Sequence, residues 1–428
     1  MSDYPRFTVI IPQKNRAEYL IHTLKTCMIQ DYPKFEVIVS DDCSDDNSVE
    51  IALNLAKQDA RIKVFPHKVH LGMRDNFEFA LNQVKPGYVL ALGGDDALTP
   101  NCIWRMYELL KETKRDLLAW KTAGFVYPTD NETSNIFSVP RKKLSKYRII
   151  KSSWYLNKIS KTFRYQIDES PMFYVKGVAS TELVNRVKSR TKDKSFYYCP
   201  TPDGFSGVVL AGEVEDYVYT DEPLTIMGTT IKSQGANYRR TDAQSKREAE
   251  QFFNDNIRRT MHSKLASQPY SPIVTLMTAD YLLTAMDLPG WPGKFDPFTI
   301  EDLIINTFKF LHESFFESDV LHREMEILKQ IAMQHDLMHL YNEQLQKSKK
   351  IATKNKNIYG FAITNSYRFD GSEIGINNIY DAALATNFIY NFGNLLSLKY
   401  LLNGCRNSLK IVMQKFNRKY ESFPINKL

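Results

Sequence analysis

The sequence predicts an α/β domain with a doubly wound, mostly parallel sheet, followed by a mainly helical region. Three observations favour this organisation. Short apolar runs alternate with amphipathic helical patterns over the first quarter of the chain, and this alternation is typical of βαβ units. Acidic clusters follow two of the predicted strands at their carboxyl ends, which is the edge where such sheets bind ligands. Long helical patterns begin after Asp242.

The elements of the first part can be justified in order. Apolar runs predict strands at residues 7–11, 35–40, 62–65 and 88–92. In the second of these runs Val37, Ile38 and Val39 are apolar in a row, as expected for a strand buried on both faces. Amphipathic patterns predict the intervening helices at residues 17–30, 48–58, 75–84 and 103–112.

Adjacent carboxylates end two of these strands. The segment from Asp41 to Asp46 contains four aspartates, and Gly93-Gly94-Asp95-Asp96 follows the fourth strand. Neighbouring carboxylates repel each other, and a divalent cation that carries a diphosphate would relieve the repulsion. Either cluster alone is also compatible with a solvated turn. Both clusters fall on the same edge of the predicted sheet, however, and this coincidence favours a binding site.

Composition limits the class of protein. The chain has 428 residues, of which 43% are hydrophobic and 25% charged, as in soluble globular proteins. It contains no apolar run of about 18–20 residues and does not open with a signal peptide, so we expect a cytoplasmic protein. Five scattered cysteines fit a reducing compartment. Residues 347–428 carry thirteen Lys/Arg against four Asp/Glu, whereas the remainder of the chain is close to neutral.

Together these motifs resemble the opening of family 2 glycosyltransferases, which have the GT-A fold, a Rossmann-like sheet flanked by helices. The resemblance rests on three segments: Phe7–Pro12 with Asn15-Arg16-Ala17-Glu18, Val37–Asp46, and Gly94-Asp95-Asp96 at the position of the Asp-x-Asp motif. It covers about residues 5–235. Gln13-Lys14 departs from the usual Thr-Tyr pair, and Cys43 stands where the family carries glycine.

The resemblance implies an inverting transfer of sugar from a nucleotide-sugar donor, expected to be a UDP-sugar. The acceptor would be a hydroxyl of a surface glycan, such as O-antigen or capsule, or of a lipid-linked glycan. Pro12 and Asp42 would line the pocket for the base and ribose, and Asp95 would face the ribose or the water shell of the metal. Asp96 would ligate Mn²⁺ or Mg²⁺ between the two donor phosphates, where the metal neutralises the leaving group.

Two further segments receive roles from the same resemblance. Asp203 follows Pro202 and stands two residues before the aromatic Phe205, which is similar to the acceptor-side segment of these enzymes, and it is the predicted catalytic base. A helix N-cap is its alternative role, and Glu215 with Asp216 provides the alternative base. Further along, Lys232 would pair with the departing diphosphate from a loop that closes over the donor. Arg239 and Arg240 are alternatives to Lys232, and a plain surface linker is the alternative for this loop.

Three domains are expected, at residues 1–240, 241–346 and 347–428. The helical middle carries no recognisable chemistry. Its His335 and His339 have a spacing that suits a metal on one helix, but no third ligand is evident. A basic amphipathic helix at residues 395–419 would make peripheral contact with an anionic membrane surface or with a partner, or would pack on its own domain. Nucleic acid is not an expected partner, because the aromatic residues do not interleave as a stacking platform.

Two other functions stay open at this point. A non-catalytic scaffold on the same fold would act through the helical half and the basic tail. A nucleotidyltransferase ranks lower, because no glycine-rich phosphate loop follows the first strand.

Overall fold

Two sheets with surrounding helices are seen in the computed structural model, which describes residues 4–128, 135–233, 238, 243–256, 259–313, 318–352 and 366–396. The strands, in chain order, are β1 Phe7–Gln13, β2 Phe35–Asp41, β3 Ile62–Pro66, β4 Tyr88–Ala91, β5 Ala97–Leu98, β6 Leu117–Trp120, β7 Ala123–Val126, β8 Ile136–Pro140, β9 Arg148–Lys151, β10 Gly177–Ser180, β11 Asp216–Thr220, β12 Thr225–Thr229 and β13 Ser366–Asp370. The α-helices are α1 Ala17–Met28, α2 Ser48–Gln58, α3 Met73–Asn82, α4 Cys102–Thr113, α5 Ser152–Thr162, α6 Thr181–Arg190, α7 Pro202–Gly212, α8 Ala243–Asp255, α9 Val274–Met286, α10 Ile300–Glu313, α11 Ser318–Gln334, α12 Met338–Ala352 and α13 Ile379–Leu396.

The main sheet has the strand order β3-β2-β1-β4-β10-β6-β11-β9, with eight strands among the described residues. Strands β3, β2, β1 and β4 run parallel, as the sequence predicts. Strand β10 is antiparallel to both of its neighbours, while β11 is parallel to β6. The predicted α/β class is therefore confirmed, with a mixed sheet flanked by helices. The carboxyl ends of β1, β2, β4, β6 and β11 share one edge.

The central strands are buried on both faces. Alternate side chains along a strand point to opposite faces, and here they enter two different cores. Ile10 of β1 packs in the same core as Phe77 of α3, whereas Val9 and Ile11 pack in the core that contains Leu20 of α1. This two-sided cover explains why the strands read as continuous apolar runs.

The region after residue 243 is mainly helical, as predicted. The helical periodicity of the sequence runs through residues 320–346, but the structure has two helices there, α11 and α12. They are separated by Asp336, whose φ of 58° lies in the left-handed region. His335 and His339 therefore lie on either side of a break, and the side chain of His335 hydrogen-bonds to the Lys264 carbonyl. Their sequence spacing does not place them on one helical face.

The described residues after 366 pack against strands and helices of the N-terminal half. Strand β13 pairs with β8 in a second sheet of order β13-β8-β7-β12-β5, and α13 packs against α1, β5 and β12. Ile376, Ile379 and Ile389 are fully buried there. Part of the predicted basic tail thus belongs to the packed structure. The predicted helix at 395–419 lies, from residue 397 onward, outside the described residues.

Within the described ranges, no helix is both long enough and apolar enough to cross a membrane. The predicted domain boundaries after residues 240 and 346 stay predictions.

Candidate functional site

Hydrogen bonds connect the loop after β1 to the loop after β2. The Asn15 amide donates to Ser44 Oγ at 2.8 Å, and the Ala17 amide donates to Asp46 Oδ2 at 3.0 Å. Asp41 accepts from the amide of Ser44 at 2.9 Å. Two of the four carboxylates of the first acidic cluster, those of Asp41 and Asp46, therefore hold these loops in place. Cys43 has a φ of 57°, which explains why this position favours the glycine of the resembled family.

Asp42 is the member of that cluster that faces the cavity described below. Its Oδ1 accepts from the Leu71 amide at 2.6 Å and its Oδ2 from the Gly72 amide at 3.0 Å. His70 Nδ1 lies 2.9 Å from Asp42 Oδ2, and His70 Nε2 lies 3.0 Å from Asp255 Oδ2 of α8. The imidazole thus joins the loop after β3 to the helical region, and it holds Asp42 in position.

Asp95 and Asp96, after β4, have different surroundings. Asp95 faces the cavity, its Oδ2 accepts from Thr230 Oγ1 at 3.2 Å, and Arg16 Nε lies 4.0 Å away. Asp96 is 1% exposed. Its two oxygens accept amide hydrogens from Gly93 at 2.6 Å and Gly228 at 2.9 Å. Asp96 therefore links the turn after β4 to strand β12.

Burial, and secondarily the charge of Asp95, raises the pKa of Asp96 to about 7. The amides of Gly228 and Gly93 and the hydroxyl of Tyr174 hydrogen-bond to the same carboxyl group and oppose this shift. Glycine is required at position 228, because a Cβ there would lie 1.8 Å from the carbonyl oxygen of Asp95.

Asp203 lies in the first turn of α7. Its Oδ2 accepts from the Tyr165 hydroxyl at 3.0 Å, and its Oδ1 is buried with no hydrogen-bond partner among the described residues. Burial raises the pKa of Asp203, and the bond from Tyr165 is among those that oppose the rise. Thr201, rather than Asp203, occupies the N-cap position. The predicted alternative of a simple cap is therefore not what the structure shows.

The alternative base, Glu215 with Asp216, lies elsewhere. Asp216 begins β11, at its amino end, and so sits on the sheet edge opposite to Asp95. Both carboxylates pair with Lys151, at 2.8 Å for Glu215 and 3.0 Å for Asp216. Asp216 also pairs with Arg115 at 2.6 Å. These groups form a surface ion-pair cluster away from the acidic loops.

The side chain of Lys232 contacts the loop after β1. Its Nζ donates to the Asn15 carbonyl at 2.8 Å and lies 3.8 Å from Glu18 Oε1. The Lys232 carbonyl accepts in turn from the Arg16 guanidinium. In this conformation Ser233, and not Lys232, lines the cavity. Arg239 and Arg240 lie outside the described residues.

A cavity of about 560 Å³ opens at the carboxyl ends of β1, β2 and β4. Four of the predicted site residues line it together: Pro12, Asp42, Asp95 and Asp203. Asp96 and Lys232 are not among its described lining residues. The structure thus joins two segments that are far apart in sequence, the acidic loops and the start of α7.

One side of this cavity was not predicted from the sequence. Six residues of the helical region line it with apolar or aromatic side chains: Phe252, Phe253, Tyr270, Pro272, Val274 and Met277. Nothing in the helical periodicity distinguishes these residues from ordinary core positions. Gly228 did carry a readable signal, since a glycine inside a strand often marks close approach of another backbone.

The first part of the chain is similar in sequence to known glycosyltransferases. Residues 8–169 match the family described as "Glycosyl transferase family 2". The chain is 27% identical over 130 residues to the glycosyltransferase GlyG of Streptococcus pneumoniae, covering 30% of this chain and 42% of the relative. It is 33% identical over 109 residues to the GalNAc(5)-diNAcBac-PP-undecaprenol beta-1,3-glucosyltransferase of Campylobacter jejuni, covering 25% of this chain and 35% of the relative.

The matched segment thus spans less than half the length of either relative. Among solved structures, residues 1–349 of Staphylococcus aureus TarS in complex with UDP-GlcNAc superpose with a TM-score of 0.44 at 14% identity. That match covers 84% of this chain and 94% of TarS 1–349.

Proposed function

Because residues 8–169 match the model of glycosyl transferase family 2, we propose that the protein is an inverting, metal-dependent glycosyltransferase. It transfers a sugar from a UDP-sugar to a hydroxyl of a surface glycan, either free or lipid-linked. The observation that carries this proposal is the single cavity lined by Asp42, Asp95 and Asp203. In this proposal Asp42 binds the nucleoside, Asp95 holds the metal that binds the diphosphate, and Asp203 takes the proton of the acceptor hydroxyl.

At the donor end, Pro12 and Asp42 receive the base and ribose. Asp42 is fixed by two backbone amides and by His70, so its carboxylate is oriented before the donor binds. Such preorganisation lowers the entropic cost of binding. Arg16, which lines the cavity beside Asp95, is placed to pair with a phosphate oxygen.

The residues present fit a divalent cation through Asp95. Mg²⁺ is often held by one or two carboxylates together with substrate phosphates and water, and Asp95 presents a carboxylate to the cavity. Asp96, by contrast, is 1% exposed and is not among the described residues that line the cavity. We therefore assign the ligand role to Asp95 and a structural role to Asp96. When bound, the metal would neutralise charge on the leaving diphosphate.

Asp203 acts as the base. It accepts the proton of the acceptor hydroxyl while that oxygen forms a bond to the anomeric carbon of the donor. The bond between the anomeric carbon and the diphosphate oxygen breaks on the opposite face, so UDP leaves with the electron pair and the configuration inverts. A raised pKa suits this role, because it makes the Asp203 carboxylate a stronger base.

The pH profile of Tyr165→Phe provides one test of this assignment. The Tyr165 hydroxyl stabilises the ionised form of Asp203, so its removal should raise the pKa of Asp203 further. The rate depends on ionised Asp203 and falls as the pH drops through that pKa. The acid limb of kcat/KM should therefore move to higher pH in the variant.

Tyr155→Phe is the matched control, because Tyr155 is an equally buried tyrosine whose hydroxyl bonds to Ser170 instead. Its acid limb should coincide with that of the wild type. An unmoved acid limb in Tyr165→Phe would mean that another group controls the rate.

Calorimetric titration of UDP with Mn²⁺, or with EDTA, tests the donor site. We expect the wild type to bind UDP much more tightly with Mn²⁺. Asp95→Asn should lose this difference, because it removes the carboxylate that faces the metal. Asp96→Asn should keep the difference, at some cost in melting temperature.

If Asp96→Asn alone lost the metal effect, the ligand role would return to Asp96. If the wild type bound neither UDP nor another nucleoside diphosphate under either condition, the proposed function would be wrong.

A further inference from the structure

The helical region gives the cavity a wall that donor binding does not explain. This aromatic wall consists of the six residues Phe252, Phe253, Tyr270, Pro272, Val274 and Met277. The ribose and the phosphates of a nucleoside diphosphate are recognised mainly through charge and hydrogen bonds, and the proposed pocket for its base lies at Pro12 and Asp42. The six side chains offer an apolar surface instead, which suits a different part of the substrate pair.

The aromatic wall contacts the segment that carries Asp203, the proposed catalytic base. Phe252 packs edge-on against Tyr270 with ring centroids 5.8 Å apart. The Tyr270 hydroxyl lies 3.0 Å from Thr201 Oγ1, and Thr201 occupies the N-cap position of α7, two residues before Asp203. An acceptor that leans on this wall would therefore bring a hydroxyl towards Asp203.

The ring positions are fixed by their neighbours. The Tyr270 hydroxyl donates to Met277 Sδ at 2.7 Å, in addition to its contact with Thr201. The wall therefore presents ring carbons and a thioether to the cavity, rather than free hydroxyl groups. A pyranose ring matches this surface, because one of its faces carries mostly C–H groups that can pack on an aromatic ring.

The charged residues of the cavity indicate which acceptors are disfavoured. Among the described lining residues, the lysine and arginine are Lys14 and Arg16. Both lie at the donor end, Lys14 at 3.3 Å from His70 Nδ1 and Arg16 at 4.0 Å from Asp95.

The charges beside the aromatic wall are already balanced or negative. The guanidinium carbon of Arg323 lies 4.3 Å from the centroid of the Phe253 ring, but this cation is paired with Glu324. Asp203 and Glu248 add carboxylates to the cavity lining. An anionic acceptor at the wall would therefore meet further negative charge.

We infer that the aromatic wall binds the terminal sugar of the acceptor by its apolar face, and that this sugar is a neutral pyranoside. This inference rests on the proposed glycosyltransferase function. It narrows the acceptor class from any surface glycan to one that ends in an uncharged ring.

The test is saturation-transfer difference NMR on the full-length protein with UDP and Mn²⁺ present. The neutral probes are methyl β-glycosides of glucose, galactose and N-acetylglucosamine, and methyl β-glucuronide is the anionic probe. We expect ring-proton signals from at least one neutral glycoside and weaker binding of the glucuronide. If no neutral glycoside binds while UDP does, or if the glucuronide binds best, the inference is wrong and the proposed function is untouched.

Variants localise the contact. Phe252→Leu keeps apolar volume but removes the ring, and it should weaken glycoside binding about 2- to 12-fold with UDP affinity unchanged. Phe298→Leu is the control, because Phe298 belongs to the same helical region but packs on Phe163 outside the cavity lining. If Phe252→Leu weakens UDP instead, the wall belongs to the nucleotide site. Loss of UDP binding in the wild type would count against the proposed function itself.

Discussion

An Asp203→Asn variant should bind UDP as tightly as the wild type and transfer sugar about 10²- to 10⁴-fold more slowly. The amide can still accept the hydrogen bond from Tyr165, so the start of α7 should keep its shape. It can no longer take a proton from the acceptor hydroxyl. The expected signature is a fall in kcat with little change in donor affinity, measured by UDP release with and without acceptor.

Glu215→Gln is the control for that experiment. Glu215 is exposed and pairs with Lys151 at the amino end of β11, far from the cavity lining. Its loss should leave turnover within about twofold, since isolated surface ion pairs contribute little. The reverse result, with Asp203→Asn active and Glu215→Gln inactive, would reinstate the alternative base.

A chain that ends at Ala352 is expected to lose donor binding and to melt at a markedly lower temperature. This truncation removes β13 and α13, and with them the fully buried side chains of Ile376, Ile379 and Ile389. Burial of each such side chain contributes about 1.5–3 kcal/mol, against a total stability of about 5–15 kcal/mol for a typical protein.

The truncation should also act on the donor site directly. A Cβ at Gly228 would lie 3.3 Å from Ile379 Cδ1, so α13 packs closely behind the strand whose amide holds Asp96. Calorimetry with UDP and Mn²⁺ and a thermal melt measure the two effects. A chain that ends at Leu396 is the control, because it keeps every contact described for β13 and α13. Equal UDP affinity in the two truncated chains would show that α13 does not support the donor site.

Much of the donor side could be predicted from the sequence because its signals are local. The apolar runs, the carboxylates at their ends and the glycine pair all lie within a few residues of one another. Asp203 could also be proposed, because Pro202 and Gly204 mark the start of a helix. In each case the residue and the element that positions it are neighbours in the chain.

The remainder depends on contacts that are distant in sequence. The predicted metal role of Asp96 stays a prediction, and the sequence does not show that its carboxylate accepts from the amide of Gly228 in another strand. Nor does the basic composition of the C-terminal segment show that β13 pairs with β8 in the second sheet. The helical periodicity at residues 320–346 continues across Asp336, although the backbone there turns out of the helix. Periodicity reports which residues are buried, but not which surface buries them.

The position of α13 behind β12 has a consequence for how the protein is made. Strand β12 leaves the ribosome long before the helix that packs against it. At a synthesis rate of about 5–20 residues per second, the wait between the two is about 8–30 s. During this interval the nascent chain has its acidic loops but lacks the support of α13. The proposed donor site is therefore completed late in translation, after most of the helical region has already emerged.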